Sequence, residues 1–442
     1  MPGRARYALF VLFAINLINF FDRTIFGAIG ETIRVEWRLG DGAIGALATA
    51  FTLLYAVVGV PFGRLSDRFA RTRILALGLF AWSVLTAASG LARTYWQLFA
   101  VRLGVGIGEA TCAPAANSLI GDLFPKARRA RALSVFMLGL PLGNALSYAV
   151  GGPVAQAWGW RSAFFVAGLP GMLLVLAVLW LREPPRGTTE EHAVGDRCRS
   201  GSPYALVLSI PTIWWLIVSG ALHNFNMYAI AQFLSPFLIR VHHTTVKQAG
   251  LLSTAIYGLS GIVGLLAGGV LADAAYRRRP DGRLLVGAAA ITITAPFMFM
   301  ALGRPGGDVV GFSVLMGIGS GVMYAYYSTV YSTIQDIVEP SLRGTAMAVY
   351  FCAMYVFGAS AGPLGTGLAS DYFSARAAAA AGVLDRTPLA LEPFRAAGLH
   401  SAMYLIPTIF ALLAVVLFVA SRTVTRDVQK LQAWMCAPAP TP

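Results

Sequence analysis

Apolar residues in this chain gather into blocks of about twenty, the length at which a helix crosses the hydrocarbon core of a bilayer. Twelve such blocks can be drawn, near residues 8–29, 43–63, 74–91, 96–119, 131–153 and 161–181, then 211–236, 248–270, 284–303, 308–334, 344–369 and 400–420. Backbone in lipid has to bond to itself, so each block reads as a spanning helix. Only 12% of the residues are charged and 57% are hydrophobic, where soluble domains carry about 25% charged residues. The fold class that follows is an all-α polytopic membrane protein with twelve transmembrane helices.

The polar stretch 182–209, rich in Pro, Gly and charge, reads as a cytoplasmic linker. It separates a six-helix bundle at 1–181 from a second at 210–421, with a tail at 422–442. With the N-terminus placed inside, Lys and Arg fall about two to one on the inner segments, which predicts both termini cytoplasmic. That bias accounts for much of the net charge of +14 and leaves no need for a nucleic-acid partner. Cys112, Cys198, Cys352 and Cys436 are too scattered for a disulfide framework or a metal site. The first apolar run is long enough to span and no small-residue cleavage pattern follows it, so it is not read as a cleavable signal. The Ala- and Arg-rich composition and short loops point to a bacterial inner membrane.

The two halves repeat each other. GRLSDRFARTR at 63–73 aligns with GVLADAAYRRR at 269–279, matching Gly63, Asp67, Arg71 and Arg73 to Gly269, Asp273, Arg277 and Arg279. DLFPKARRARA at 122–132 aligns with DIVEPSLRGTA at 336–346, matching Asp122 and Arg129 to Asp336 and Arg343. Each copy holds the same place in its half, so the halves are parallel repeats about an axis along the membrane normal, with a binding site between them near the midplane.

The paired G-x-x-x-D-x-x-x-R-x-R loops, the RLGVGIGEA segment around Arg102 and the six-plus-six plan resemble the major facilitator superfamily over essentially the whole chain. Within it the sequence is most similar to the spinster-like branch. FFDR at 20–23, GVGIGEA at 104–110, GLPLGNALSYAVGGPVAQAWGWRSAFFVAGLPG at 139–171 and REPPRG at 182–187 carry that similarity. The resemblance implies alternating access, export of lysophospholipids or sphingosine-1-phosphate-like lipids coupled to protons, and action as a monomer. A neighbouring branch, the anion:cation symporters of sugar acids, shares the Asp-Arg pair of the first span and the G-x-x-E-A of the fourth. The second loop copy departs from the first, with Ala274, Ala275 and Tyr276 where the first has Arg68, Phe69 and Ala70, which implies a weaker latch.

Charges inside a span are rare and face a cavity or a partner. Asp22, Arg23, Arg102 and Glu109 are such charges, and Asp336 stands at a cytoplasmic end. Asp22 and Arg102 lie at similar depths, which predicts that they pair. Arg102 and Glu109 are seven apart and share a helix face, and Gly104, Gly106 and Gly108 between them admit a neighbouring backbone. The four charges are expected to line the cavity of the N-terminal half. Arg23 or Arg102 would hold an anionic head group, and Asp22 or Glu109 would take and release a proton. Static pairs that merely join helices are the plain alternative.

Asp67, Arg71 and Arg73, with Asp273, Arg277 and Arg279, are expected to latch the halves on the cytoplasmic side, Asp67 at a helix N-terminus of the other half. His223, Asn224 and Asn226 in the seventh span, and Tyr324 and Tyr327 in the tenth, are possible substrate contacts, or else pack against neighbouring helices. GVGIGEA lies mid-span after no strand and is no phosphate loop. No nucleophile–base or metal constellation stands inside the spans, so the reading is not an enzyme and calls for no cofactor or metal. No Walker-type loop is present, so coupling would draw on ion gradients. A sensor built on the same fold would want an appended domain, and only short tails are seen. The partners expected are a lipid or organic-anion substrate, protons and membrane lipids.

Overall fold

The computed structural model describes residues 2–124, 126–185, 202–339 and 342–436. Six spans form the first half: α1 (Pro2–Trp37), α2 (Asp41–Arg68), α3 (Arg71–Ser89), α4 (Tyr95–Glu109, continued as Cys112–Leu123), α5 (Lys126–Met137, continued as Gly139–Trp158) and α6 (Trp160–Leu179). The second half holds α7 (Pro211–Val241), α8 (Val246–Ser253 to Ser260–Tyr276), α9 (Gly282–Leu302), α10 (Val309–Met323, continued as Ala325–Ile337), α11 (Arg343–Ala353 to Ala361–Ala380) and α12 (Arg395–Met403, continued as Leu405–Cys436). Of the linker, 186–201 lie outside the described residues.

Ten of the described stretches are long and apolar enough to cross a membrane. The spans not among them are α4 and α7. The first is interrupted at Ala110–Thr111, and the second carries His223, Asn224, Asn226 and Gln232 along its length.

Several helices outrun the apolar blocks that announce them. α1, expected at 8–29, runs to Trp37, and the eight further residues add about 12 Å. It stops where Arg38 turns to a φ of 51°, with Leu39 N–H bonded to Arg34 O at 2.9 Å, a left-handed cap made here without glycine. α11, expected at 344–369, continues through the Ala-rich run as far as Ala380. α8 and α11 each contain one widened π turn, Thr254–Leu259 and Met354–Ala359.

The packing has two-fold character. Within the halves, α3 lies along α6 and α9 along α12; between the halves, α1 meets α7, α2 meets α11 and α5 meets α8. Exchanging the halves turns the α2–α11 contact into α8–α5, as parallel repeats require. Small residues bring these helices close: a Cβ on Gly27 of α1 would sit 2.0 Å from the Ala231 carbonyl oxygen of α7. We call the end of the bundle carrying the start of α1 and the finish of α12 the terminal end, and the opposite one distal.

Candidate functional site

Successive residues on a helix point about 100° apart, and Asp22 and Arg23 bond to different neighbours. Asp22 turns toward α3, where Thr86 Oγ1 donates to its carboxylate at 3.4 Å. Arg23 turns inward, and its Nε donates to Glu109 Oε2 at 3.0 Å, both side chains being buried. The expected Asp22–Arg102 side-chain pair is replaced by a longer contact, Arg102 Nη1 to the Asp22 carbonyl at 3.5 Å. Arg102 also lies over the Phe51 ring at 4.9 Å. The four predicted charges therefore do gather at one place, with Arg23 and Glu109 as the bonded pair. Gly106 and Gly108 make room for it, meeting the Phe51 carbonyl oxygen of α2 at 2.9 Å and Trp82 of α3 at 2.8 Å from where a Cβ would stand.

The guanidinium of Arg23 sits among rings. Its Cζ is 4.0 Å from the Tyr55 centroid and 5.1 Å from that of Phe20. Its Nη1 crosses to the other half and donates to Tyr355 Oη at 3.3 Å. Five buried polar atoms here have no bonded partner: Arg23 Nη2, Glu109 Oε1, Asp22 Oδ1 and, beside the two carboxylates, Asn19 Nδ2 and Trp82 Nε1.

The second half contributes aromatics. His223 is fully buried and stacks on Tyr326 with centroids 3.9 Å apart, and Tyr327 meets it edge-on at 4.9 Å. Neither ring nitrogen of His223 is bonded. Ser219, Tyr326 and Tyr350 join hydroxyls at 2.8 and 3.0 Å. Tyr324 is buried against Tyr257 at 6.0 Å. Asn224 and Asn226 are engaged structurally, the first on the Gly220 carbonyl oxygen at 2.9 Å and the second on the Ile406 carbonyl oxygen of α12 at 3.2 Å.

At the terminal end the bonds seen among the described residues of the repeated motifs fall within each half. Arg71 binds Asp122, Ser118 Oγ at 2.9 Å and Glu183 Oε1 at 2.7 Å. Burial opposes the Glu183 charge, but bonds from Thr72 and Arg71 outweigh it and hold this carboxyl below its usual range. In the second half it is Arg283, at the start of α9, that binds Asp336 and, at 3.0 Å, Asp273. Arg279 pairs with Asp281 at 2.8 Å, Arg73 and Arg277 are exposed, and Arg343 Nε donates to the Gln335 carbonyl oxygen at 3.1 Å. The surroundings of Gly63 and the side chains of Asp67 and Arg129 are not among what is described. Arg283 escaped the sequence reading because its start-of-helix position, and not its motif register, makes it the counterpart of Arg71.

The distal end holds a network that sequence reasoning missed. Arg240 of α7 bonds Glu31 of α1 through Nε at 3.0 Å and Asp41 of α2 through Nη1 and Nη2 at 2.8 Å each. Arg34 reaches back across the same seam to Glu392, Nη1 at 2.9 Å and Nη2 at 2.6 Å. Asp371 of α11, held by Arg395, caps the start of α2 by accepting from the backbone of Asp41 at 2.9 Å and Gly42 at 2.8 Å. Among the described residues, the hydrogen bonds that join the halves run from mid-bundle to this end, including Thr49 to the Ser360 carbonyl, Thr254 Oγ1 to the Ala145 carbonyl at 3.2 Å and Lys247 N to Gln156 at 2.8 Å. The halves are thus closed distally.

Residues 12–363 match the family described as Major Facilitator Superfamily. Mouse protein spinster homolog 1 is 30% identical over 399 residues, covering 84% of this chain and 74% of its own length. An MFS-type efflux pump of Mycolicibacterium smegmatis is 30% identical over 375 residues, covering 84% of this chain and 85% of its own. A crystal structure described as a bacterial homolog to the human lysosomal transporter Spinster, inward-facing and unoccupied, superposes with a TM-score of 0.86 at 27% identity, over 97% of this chain and 99% of that one. The match extends through both halves and both sets of repeated loops, and the relatives are transporters, not enzymes. The chain belongs to the Major Facilitator Superfamily, in its spinster-like branch.

Proposed function

We propose that this chain is a proton-coupled secondary active transporter of an amphiphilic anion, a lysophospholipid or a sphingosine-1-phosphate-like lipid, working by alternating access. The observation that carries the reading is the Arg23–Glu109 pair, which is joined through one nitrogen and one oxygen. It leaves Arg23 Nη2 as a free donor and Glu109 Oε1 as a free acceptor, both buried. A buried charge pair is stable only when its remaining bonding positions are filled. An anionic head group at Nη2 and a proton at Oε1 would fill these two. Substrate and proton then meet on one pair, which is what coupling requires: an anion that draws Arg23 away makes the carboxylate readier to accept a proton.

The tyrosine-rich wall of the second half supplies rings for an apolar tail and hydroxyls for polar groups. Tyr324, Tyr327 and His223 are its inner members. A lipid substrate is what the sequence resemblance to the spinster-like branch implies. The rocking bodies are 1–181 and 210–421, acting as a monomer in a bacterial inner membrane with both termini cytoplasmic. The distal network is then the outer gate. The loops around Asp67 and Asp273 latch the halves in the opposite state, with Arg71, Arg73, Arg277 and Arg279 finding partners across the terminal end.

Reconstituted flux tests this. Labelled lysophospholipid and a labelled sugar acid are offered to proteoliposomes with and without a pH gradient, parent against Glu109→Gln. Lipid flux that answers to the gradient in the parent and not in the variant is the expected result. Sugar-acid flux without lipid flux would place the chain with the organic-anion symporters, and binding without flux would make it a sensor.

A further inference from the structure

The guanidinium of an arginine has two edges with which to grip a carboxylate, Nε with Nη2 along the side and Nη1 with Nη2 at the end. Arg240 uses both, the side edge on Glu31 and the end on Asp41. Arg34 likewise closes its side edge on Glu31, Nε at 3.2 Å and Nη2 at 3.0 Å. Arg23 presents the same side edge to Glu109 but closes only half of it. Nε bonds Oε2 at 3.0 Å, while Nη2 and Oε1, the two atoms that would complete the fork, are both buried and unbonded. The remaining nitrogen, Nη1, is held by Tyr355 Oη from the other half.

Tyr355 is fixed to its own half and aimed at the first one by backbone geometry. It lies in the π turn of α11, where Ser360 N–H bonds the Tyr355 carbonyl five residues back at 3.0 Å. Such turns re-aim side chains and gather at functional sites. The other end of the turn touches the first half too, through the Thr49–Ser360 bond. Gly358 and Gly362 seat α11 on α7 so closely that a Cβ would lie 2.3 and 2.2 Å from the carbonyl oxygens of Ala221 and Phe225. α11 and α7 therefore move together, and Tyr355 moves with them.

We propose that Tyr355 is a positioning residue that holds the Arg23–Glu109 fork half open while the halves are closed distally, and so keeps the Nη2 and Oε1 positions available to substrate and proton. Rocking the halves withdraws Tyr355, the fork closes, and both positions are lost. The inference rests on the proposed proton role of Glu109. The charged and titratable groups around that carboxylate are Asp22 and Arg23 from α1, Tyr55 from α2, Arg102 and Cys112 from α4, and Tyr228 and Tyr355 from the second half. From across the seam Tyr355 accepts from Arg23 Nη1, and Tyr228 also bears on the guanidinium.

Tyr355→Phe keeps the ring and removes the acceptor. The readout is infrared titration of the Glu109 carboxyl band in the full-length protein, the band being identified by its loss in Glu109→Gln. This needs no substrate. With the fork free to close, the midpoint moves to lower pH by about one unit, a tenfold loss in proton affinity. Tyr331→Phe, which alters the same aromatic wall away from Arg23, leaves it in place. In flux, Tyr355→Phe raises the KM for whichever labelled anion the parent carries. An unmoved midpoint, or one moved upward, in a Tyr355→Phe protein that melts like the parent overturns the inference and leaves the proposed function standing. A parent with no titrating Glu109 band overturns the proton role and this inference together.

Discussion

The guanidinium of Arg240 lies against the carboxylate of Asp41, two nitrogens on two oxygens at 2.8 Å each. Arg240 belongs to the second half and Asp41 to the first, so the pair is a bolt across the distal seam. The two side chains are 7% and 0% exposed, and removing one partner of a buried pair costs about 3–5 kcal/mol because the other charge is stranded. Opening the seam to water relieves that. Arg240→Ala should therefore move the ratio of distal-open to distal-closed forms by roughly a hundredfold or more. A cysteine placed at Thr49, in a chain freed of its 4 native cysteines, reports it through faster reaction with a membrane-impermeant maleimide. An unchanged rate would mean that Arg240 is not part of a gate.

Glycines at the seam and glycines inside a half predict opposite outcomes from one chemical change. A Cβ on Gly45 would stand 2.3 Å from the Pro363 carbonyl oxygen of the other half. Gly45→Ala should wedge the distal end apart, raising labelling at Thr49 while the melting temperature stays close to the parent's. A Cβ on Gly264 would stand 1.6 Å from the Gly321 carbonyl oxygen within the second half, where no rocking motion can relieve it. Gly264→Ala should lower stability by about 1–3 kcal/mol and leave labelling alone. Identical behaviour of the two variants would contradict the placement of the seam.

Arg23→Gln strands Glu109, and Glu109→Gln strands Arg23. The double variant strands neither, so its loss of thermal stability in detergent should be smaller than the sum of the single losses by about 1–3 kcal/mol. Strict additivity would show that the pair contributes nothing as a pair.

Glu183 supplies a pH test outside the membrane. Its carboxyl is held below the ordinary 4.5 in the folded protein. A depressed folded value means that its contribution to stability is fully present above the unfolded value and is lost as pH falls through the folded one. The melting temperature should thus decline on acidification below about pH 4.5, and Glu183→Gln should flatten that part of the curve. A parallel decline in both proteins would show that the Arg71–Glu183–Thr72 contacts do not link protons to folding.

The central charges are legible in the sequence because an ionised group amid apolar residues stands out whatever the fold. Their pairing is not, since it depends on how α1 is rotated: depth alone suggests Asp22 with Arg102, and the helix turn gives Arg23 to Glu109 instead. The distal network is illegible for the opposite reason. Glu31, Arg34 and Arg240 stand near helix ends and Asp371 just past the apolar block 344–369, where charge is unremarkable. What makes them special is the extension of α1 and α7 past their apolar blocks, and that is settled by the partners waiting there. ETIRVEW at 31–37 carries charges of alternating sign at Glu31, Arg34 and Glu36 with no Gly or Pro to stop a helix, and that is the signal the sequence offers.

The π turn of α11 has a consequence of its own. Tyr355 and Ser360 both face the first half because one residue more than an α turn needs is lodged between them. An alanine scan would pass over Val356 and Phe357, whose side chains make no bond across the seam among the described contacts. Deleting either one would let the turn relax to α and swing one side of the helix by about 100° against the other, so that Tyr355 and Ser360 could no longer face the seam together. At this point in the chain, what is held in place is a number of residues rather than their kind.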